Sequence, residues 1–289
     1  MKILEKIIGS SSSDVRIVEI ENQKYVMKSC DPDEVFSEKS FMEVLSQNDI
    51  RVLKYLNDSQ LPQDVLFLEY IENSPTLGGL FNEKNCLKWG SVTKKMHSIK
   101  YSTCFKYNEE GGMVKLLWTE YLAKKIKKAF VKSSENNQYG FSAAELIDIK
   151  KYLEPLLSLS LSSFSLIHGD YHAENILLKN GEIIPFDKNP EVFSGDYVLD
   201  LAIALLGMPN ETLIETKDSA RCADKKCLKA FISGYENNIL QEKNLKKYIM
   251  LIAFGRLYTP YSQYYKEIIQ NLLGLDDTLY QTHNACNNL

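Results

Sequence analysis

The chain has 289 residues, 44% of them hydrophobic and 25% charged, enough apolar material to bury a sizeable core as one or two lobes. A formal net charge of −4 argues against nucleic acid as the main partner, and the charged fraction is ordinary for a globular protein. No apolar run approaches membrane-spanning length and the N-terminus lacks a secretory pattern, so no membrane association is expected. The six cysteines are scattered, and Cys222 and Cys227 stand too far apart for Cys-x-x-Cys chemistry, with no histidine near them to complete a zinc site. Reduced thiols in a cytoplasmic protein are the simplest reading.

In chain order, the first seventy residues read as five strands around one helix. Gly9-Ser10-Ser11-Ser12-Ser13 forms a turn between Ile7-Ile8 and the partly alternating run Val15 to Ile20. Glu21-Asn22-Gln23 is a second turn, leading into the strand Lys24 to Lys28. Pro32 and Asp33 precede a helix over Glu34 to Gln47, with Val35, Phe41, Val44 and Leu45 on one side. Val65 to Ile71 is another buried strand. From Pro75 the pattern turns helical: Cys86 to Ile99, Met113 to Val131 and Phe141 to Leu159, with a polar loop at Ser133 to Gly140. Further helices are expected over Tyr197 to Leu206, Ala220 to Asn238, Leu245 to Leu257 and Pro260 to Leu273.

Between these helices lies His168-Gly169-Asp170-Tyr171-His172-Ala173-Glu174-Asn175, followed by Asp187. Phe164 to Ile167 leads in, Ile176 to Leu178 follows, and Ile183-Ile184 precedes Asp187. Two apolar runs broken by Asn180-Gly181 predict a hairpin with a tight turn, which holds Asn175 and Asp187 near each other across its base. Two side-chain oxygens presented that way suit Mg²⁺, which takes one or two protein oxygens and fills its other positions with phosphate and water. Asp170 then sits beside the metal, free to accept a proton from a hydroxyl or to orient it. That division of labour is what phosphoryl transfer from a nucleotide requires. Taken alone, Gly-Asp is ordinary turn chemistry; the spacing to Asn175 and Asp187 is what favours catalysis.

The His-x-Asp-x-x-x-x-Asn motif with a strand ending in Phe186-Asp187 resembles the catalytic and metal-binding loops of the aminoglycoside phosphotransferase and choline kinase superfamily. Gly195-Asp196-Tyr197-Val198-Leu199-Asp200-Leu201-Ala202 resembles a second segment of that superfamily. Protein kinases carry a related arrangement, but Gly169, Lys188-Asn189 after Asp187 and the lack of an Ala-Pro-Glu segment resemble the small-molecule branch. The resemblance implies an α+β, bilobed, protein-kinase-like fold, with a β-rich nucleotide-binding lobe over residues 1–72 and a mainly helical catalytic and substrate-binding lobe over 73–289.

Several further roles follow from the resemblance. Lys28 is similar to the strand lysine that neutralises the nucleotide's α/β-phosphates, and Glu38 stands where the glutamate that holds such a lysine is expected. Glu43, five residues on, would face roughly 140° away at about 3.6 residues per turn. Glu69-Tyr70-Ile71 resembles the interlobe segment whose backbone meets adenine, so Glu69 and Ile71 join the cofactor-binding set. Ser10, Ser11 and Ser12 have the small side chains, hydroxyls and backbone N–H groups that can approach a triphosphate, although alone they would read as an exposed turn. Asp170 becomes the catalytic residue, with Asn175 and Asp187 the Mg²⁺ ligands. Asp200 braces the catalytic loop, and His168 packs beneath it.

The activity implied is transfer of the γ-phosphate of ATP or GTP to a hydroxyl of a small, cationic acceptor. Aminoglycoside-like antibiotics are the first expectation, with antibiotic resistance as the role; choline, ethanolamine, amino alcohols or sugars follow. The seventeen tyrosines allow an aromatic cage around Tyr258, Tyr261, Tyr264 and Tyr265, although core packing is the commoner use of such a cluster. Glu191, Asp196 and Glu267 are the acidic candidates for meeting an amine. A catalytically silent nucleotide- or partner-binding module is the alternative of another class, and nothing in the sequence speaks to oligomeric state.

Overall fold

A computed structural model describes residues 2–7, 14–57, 62–135, 140–208, 225–235, 238–259 and 262–274. The N-terminal part is an antiparallel sheet of β1 (Lys2–Ile7), β2 (Asp14–Ile20), β3 (Gln23–Ser29) and β4 (Val65–Glu69), in that order. In place of the expected fifth strand, Tyr55 forms an isolated bridge to Leu68 on the outer edge of β4. Helix α1 (Pro32–Gln47) starts two residues ahead of the predicted position. Proline is tolerated there because a first-turn N–H has no partner within the helix. Val35, Met42, Leu53, Leu66 and Leu68 form the core between α1 and the sheet, and Ile184 from the catalytic hairpin joins them.

The remainder is mainly helical. Helices α2 (Glu83–His97), α3 (Trp118–Glu135), α4 (Ala143–Leu153) and α5 (Val198–Leu206) are followed by α6 (Lys225–Tyr235), α7 (Leu245–Gly255) and α8 (Ser262–Leu272). Asn82 caps α2 by accepting from the Asn85 amide, and Ser142 with Glu145 forms a capping box at α4. Pro155 ends the regular helix that was expected to run on to Leu159. The largest core runs through all of these elements. Where α2 crosses α6, Trp89, Phe231 and Tyr171 are buried together.

The helical reading missed a five-stranded sheet within this part, ordered β5 (Lys100–Tyr101), β8 (Phe164–Leu166), β11 (Ser194–Gly195), β6 (Phe105–Tyr107) and β7 (Met113–Lys115). Each of its strands is two or three residues long, too short to show a period of two, and Met113 to Lys115 consequently looked like the start of α3. The predicted catalytic hairpin is present as β9 (Ile176–Lys179) and β10 (Glu182–Pro185), paired from Lys179↔Glu182 to Ile176↔Pro185. Asn180 and Gly181 both have positive φ, 54° and 75°, the geometry of a type I′ turn.

Candidate active site

The 168–175 loop, expected to be catalytic, leaves β8 and is held from below. Asp200, fully buried in the first turn of α5, accepts from the His168 amide at 2.7 Å and the Gly169 amide at 2.8 Å. Gly169 has φ 79°, and an added Cβ would stand 3.0 Å from side-chain atoms of Asn189 and Val192, so this position suits glycine. His168 is buried and donates from Nε2 to the Phe186 carbonyl at 2.8 Å, which fixes its tautomer and ties the loop to the end of β10. Burial pushes its pKa below the ordinary value, with the Asp200 charge opposing, and the residue is structural as expected.

Asn175 and Asp187 converge as the hairpin predicted. The Phe186 amide donates to the Asn175 carbonyl at 3.1 Å, directly before Asp187. The Asn175 side-chain amide donates to the Asp170 carbonyl at 2.9 Å and stands 3.4 Å from Asp170 Oδ2. That use of Nδ2 leaves Oδ1 on the opposite branch of the amide, available to a cation. Asp187 has φ 60°, a left-handed conformation that aspartate adopts more readily than most residues, and its side chain is 36% exposed. One carboxylate and one amide oxygen fit Mg²⁺, whose remaining positions would be filled by phosphate and water. Among the described residues no three His, Cys, Asp or Glu side chains form a metal cluster.

Asp170 is held more tightly than sequence suggested. Oδ1 accepts from Arg256 Nη2 at 3.0 Å, and Oδ2 lies 3.4 Å from His172 Nε2. Burial pushes the carboxyl up, but the His172 hydrogen bond and the His172 and Arg256 charges together bring it below the usual carboxylate range. Arg256 lies 86 residues away in the chain, so no local spacing announced it.

Lys28 faces Asp187 from β3, with Nζ 2.6 Å from Asp187 Oδ1 and 2.5 Å from Glu34 Oε1. Burial lowers its pKa, but the Asp187 and Glu38 charges and the two short contacts outweigh this and hold the ammonium firmly charged. The partner is Glu34, not the expected Glu38. These glutamates lie one turn apart on the same face of α1, so periodicity could not choose between them. Glu38 goes deeper: its oxygens accept from the Asp187 amide at 3.0 Å and the Lys188 amide at 2.7 Å. Burial, only partly opposed by Lys28, raises its pKa to about 7. Glu43 points away and accepts from Tyr55 at 2.5 Å. Next to Asp187, Lys188 is buried with its Nζ donating to Ser37 and to the carbonyls of Asn189 and Val192, which pins the segment after β10.

Of the expected adenine segment, Glu69 ends β4, and Tyr70 and Ile71 follow it. The Glu69 amide is used by the Lys54 carbonyl at 2.7 Å, because residue 69 is still within the sheet edge. Its carboxylate accepts from Lys179 at 2.9 Å, so Glu69 ties the sheet to β9. Ile71 lies beyond the strand, half-buried, and its backbone has no hydrogen-bond partner among the described residues. Ser10, Ser11 and Ser12 lie outside the described residues. Of the tyrosine cluster, Tyr264 and Tyr265 are core residues, Tyr258 is exposed under the Lys132 ammonium, and Tyr261 lies outside the described residues. Asp196, expected near substrate, is instead buried: it accepts from Tyr248 at 2.9 Å and from the Val198 amide at the start of α5. Glu191 lies between Lys124 and Lys125, and Glu267 accepts from Gln263.

Among solved structures, a thermostable mutant of aminoglycoside phosphotransferase APH(4)-Ia, in ternary complex with ADP and hygromycin B, is similar with a TM-score of 0.63 at 12% identity, covering 94% of this chain and 93% of its own. Choline kinase LicA from Streptococcus pneumoniae gives 0.60 at 15% identity, covering 95% and 93%. Spectinomycin phosphotransferase APH(9)-Ia, in complex with ADP and spectinomycin, gives 0.59 at 16%, covering 95% and 84%. At these identities the likeness is one of fold: the bilobed kinase-like architecture expected from the motifs. No curated protein matches the sequence. The profile of the phosphotransferase enzyme family matches residues 4–234, most of the chain, and the protein belongs to that family.

Proposed function

We propose that the protein is a Mg²⁺-dependent kinase that transfers the γ-phosphate of ATP or GTP to a hydroxyl of a small molecule. The observation that supports this best is the convergence of Asp170, Asn175 and Asp187, with Lys28 reaching the same carboxylate at 2.6 Å. In this reading Asn175 and Asp187 hold Mg²⁺ and Lys28 meets the α/β-phosphates once nucleotide takes its place beside Asp187. Ile71 offers its backbone to the base, and residues 1–72 form the nucleotide lobe with 73–289 as the acceptor lobe. The metal would draw charge from the phosphate oxygens. Asp170 orients the acceptor hydroxyl and receives its proton as that oxygen forms a bond to the γ-phosphorus and the bond to the β-bridging oxygen breaks, releasing the nucleoside diphosphate. A carboxylate held below its usual pKa is a weak base, so orientation contributes more than proton affinity.

Aminoglycoside-like and amino-alcohol acceptors remain the first to assay, since the similar structures include kinases for such compounds. Asp196 is buried against Tyr248, Glu191 lies between two lysines and Glu267 accepts from Gln263, and the panel therefore also includes neutral and acidic hydroxyl compounds. The test is release of nucleoside diphosphate from ATP and GTP, with and without Mg²⁺, against hygromycin B, spectinomycin, choline, ethanolamine, sugars and hydroxy acids. Acceptor-dependent release that needs Mg²⁺ supports the reading. Nucleotide binding without transfer to any of them favours a silent binding module.

A further inference from the structure

The Arg256 guanidinium is four-fifths buried (21% exposed) and stands 3.0 Å from Oδ1 of the carboxylate to which catalysis is assigned above. It is the residue that ends α7, where the helix carbonyls favour positive charge. Asp170 sits on a different element, the loop after β8, so the pair joins the C-terminal helices to the catalytic loop. Tyr265 of α8, almost fully buried, lies beside the guanidinium; burial lowers the guanidinium's proton affinity, and Tyr265 with Asp170 more than offsets this. The other side of the carboxylate is also restrained: Oδ2 lies 3.4 Å from His172 Nε2 and 3.4 Å from Asn175 Nδ2.

A carboxylate on a loop, 44% exposed, would ordinarily turn about χ1 and χ2. Here one oxygen faces a charged donor on a rigid helix end. A charge-assisted hydrogen bond of this kind is roughly twice as strong as a neutral one. We propose that Arg256 is the positioning residue of the reaction: it fixes the orientation in which Asp170 meets the acceptor hydroxyl, and through α7 and α8 it makes that orientation depend on the packing of the C-terminal helices. The inference rests on the kinase reading. It adds a residue that acts through Asp170, and it does not involve the nucleotide. Among the described residues no hydrogen bond or ion pair joins Arg256 to Lys28, Asn175 or Asp187, so the nucleotide half of the site is built without it.

Steady-state kinetics of the full chain test this, using Mg²⁺·ATP and whichever acceptor of the panel above is turned over fastest. Arg256→Gln is expected to lower kcat on the order of 10²-fold, the cost of misplacing a reacting group by about an ångström, with the KM for ATP unchanged within about 2-fold. Arg256→Lys keeps the charge but loses the planar fork and should fall between the two. Added guanidinium ion should restore part of the kcat of Arg256→Gly and none of that of Asp170→Asn. Wild-type kcat in Arg256→Gln beside an inactive Asp170→Asn overturns the proposal. So does a kcat loss that tracks the fall in Tm across the Gln, Lys and Gly variants with no rescue, which is the pattern of a merely structural residue. A wild-type protein that transfers phosphate to nothing in the panel removes the kinase reading and the proposal with it, an outcome told apart by being visible before any substitution is made.

Discussion

At the scale of single residues, the site has two kinds of charged group: those that chemistry uses and those that hold them. In the proposed reaction Asp170 belongs to the first kind. Asp170→Asn keeps size and hydrogen-bonding shape but cannot take a proton, and is expected to lower kcat by roughly 10²–10⁴-fold. Calorimetric titration with Mg²⁺·ATP should give an unchanged Kd, and a parallel loss of nucleotide binding would contradict the assignment. Lys188 belongs to the second kind. Burial, only partly opposed by Glu38 and Asp200, pushes its pKa down to about 7 from 10.5. The unfolded chain therefore binds that proton more tightly than the folded one, and the stability lost to it is greatest below pH 7 and is regained as pH rises toward 10.5. Lys188→Met removes the group. The Tm of the wild type minus that of Lys188→Met should increase between pH 7 and pH 10, and a flat difference would show that the amine stays charged.

At the scale of elements, the crossing of α2 and α6 is the tightest joint described. A Cβ on Gly90 would lie 2.1 Å from the Phe231 carbonyl oxygen, and one on Gly234 would lie 2.0 Å from that of Leu87. Backbone meets backbone there, so no side chain can swing aside and the helices must part. Gly90→Ala and Gly234→Ala are each expected to cost about 1–3 kcal/mol, read as a lowered midpoint in denaturant. The consequence reaches the site because α2 carries His97, whose Nε2 lies 3.3 Å from Asp200, the residue that accepts both loop amides. A variant that folds but has lost the helix contact should therefore also lose kcat. If Gly234→Ala is as stable as the wild type, α2 and α6 do not meet as described.

At the scale of the whole molecule, the N-terminal sheet and the helical part are joined through the candidate site itself. Lys28 meets Asp187, Glu38 receives the amides of Asp187 and Lys188, and Glu69 meets Lys179. In the proposed site Asn175 and Asp187 would supply two side-chain oxygens, a poor magnesium site without phosphate. Magnesium chloride without nucleotide is expected to leave Tm unchanged. Mg²⁺ with ATP at about a hundred times Kd should add about 2.7 kcal/mol, and EDTA should remove most of that gain. A Tm raised by magnesium alone would show a complete metal cage and contradict the donor set.

What the sequence determined by itself was local. The approach of Asn175 to Asp187 around Asn180-Gly181 is a property of one continuous hairpin, since turn geometry fixes which residues oppose each other. The helices long enough to show several turns of periodicity were legible for the same reason. Tertiary structure alone decided the rest: that Glu34 rather than Glu38 holds Lys28, that Asp196 is buried beside Tyr248, that short strands form a second sheet, and that Arg256 reaches Asp170. Each of these joins segments far apart in the chain. Which distant side chains meet depends on how helices and sheet pack, and the pattern within any single segment carries no record of that.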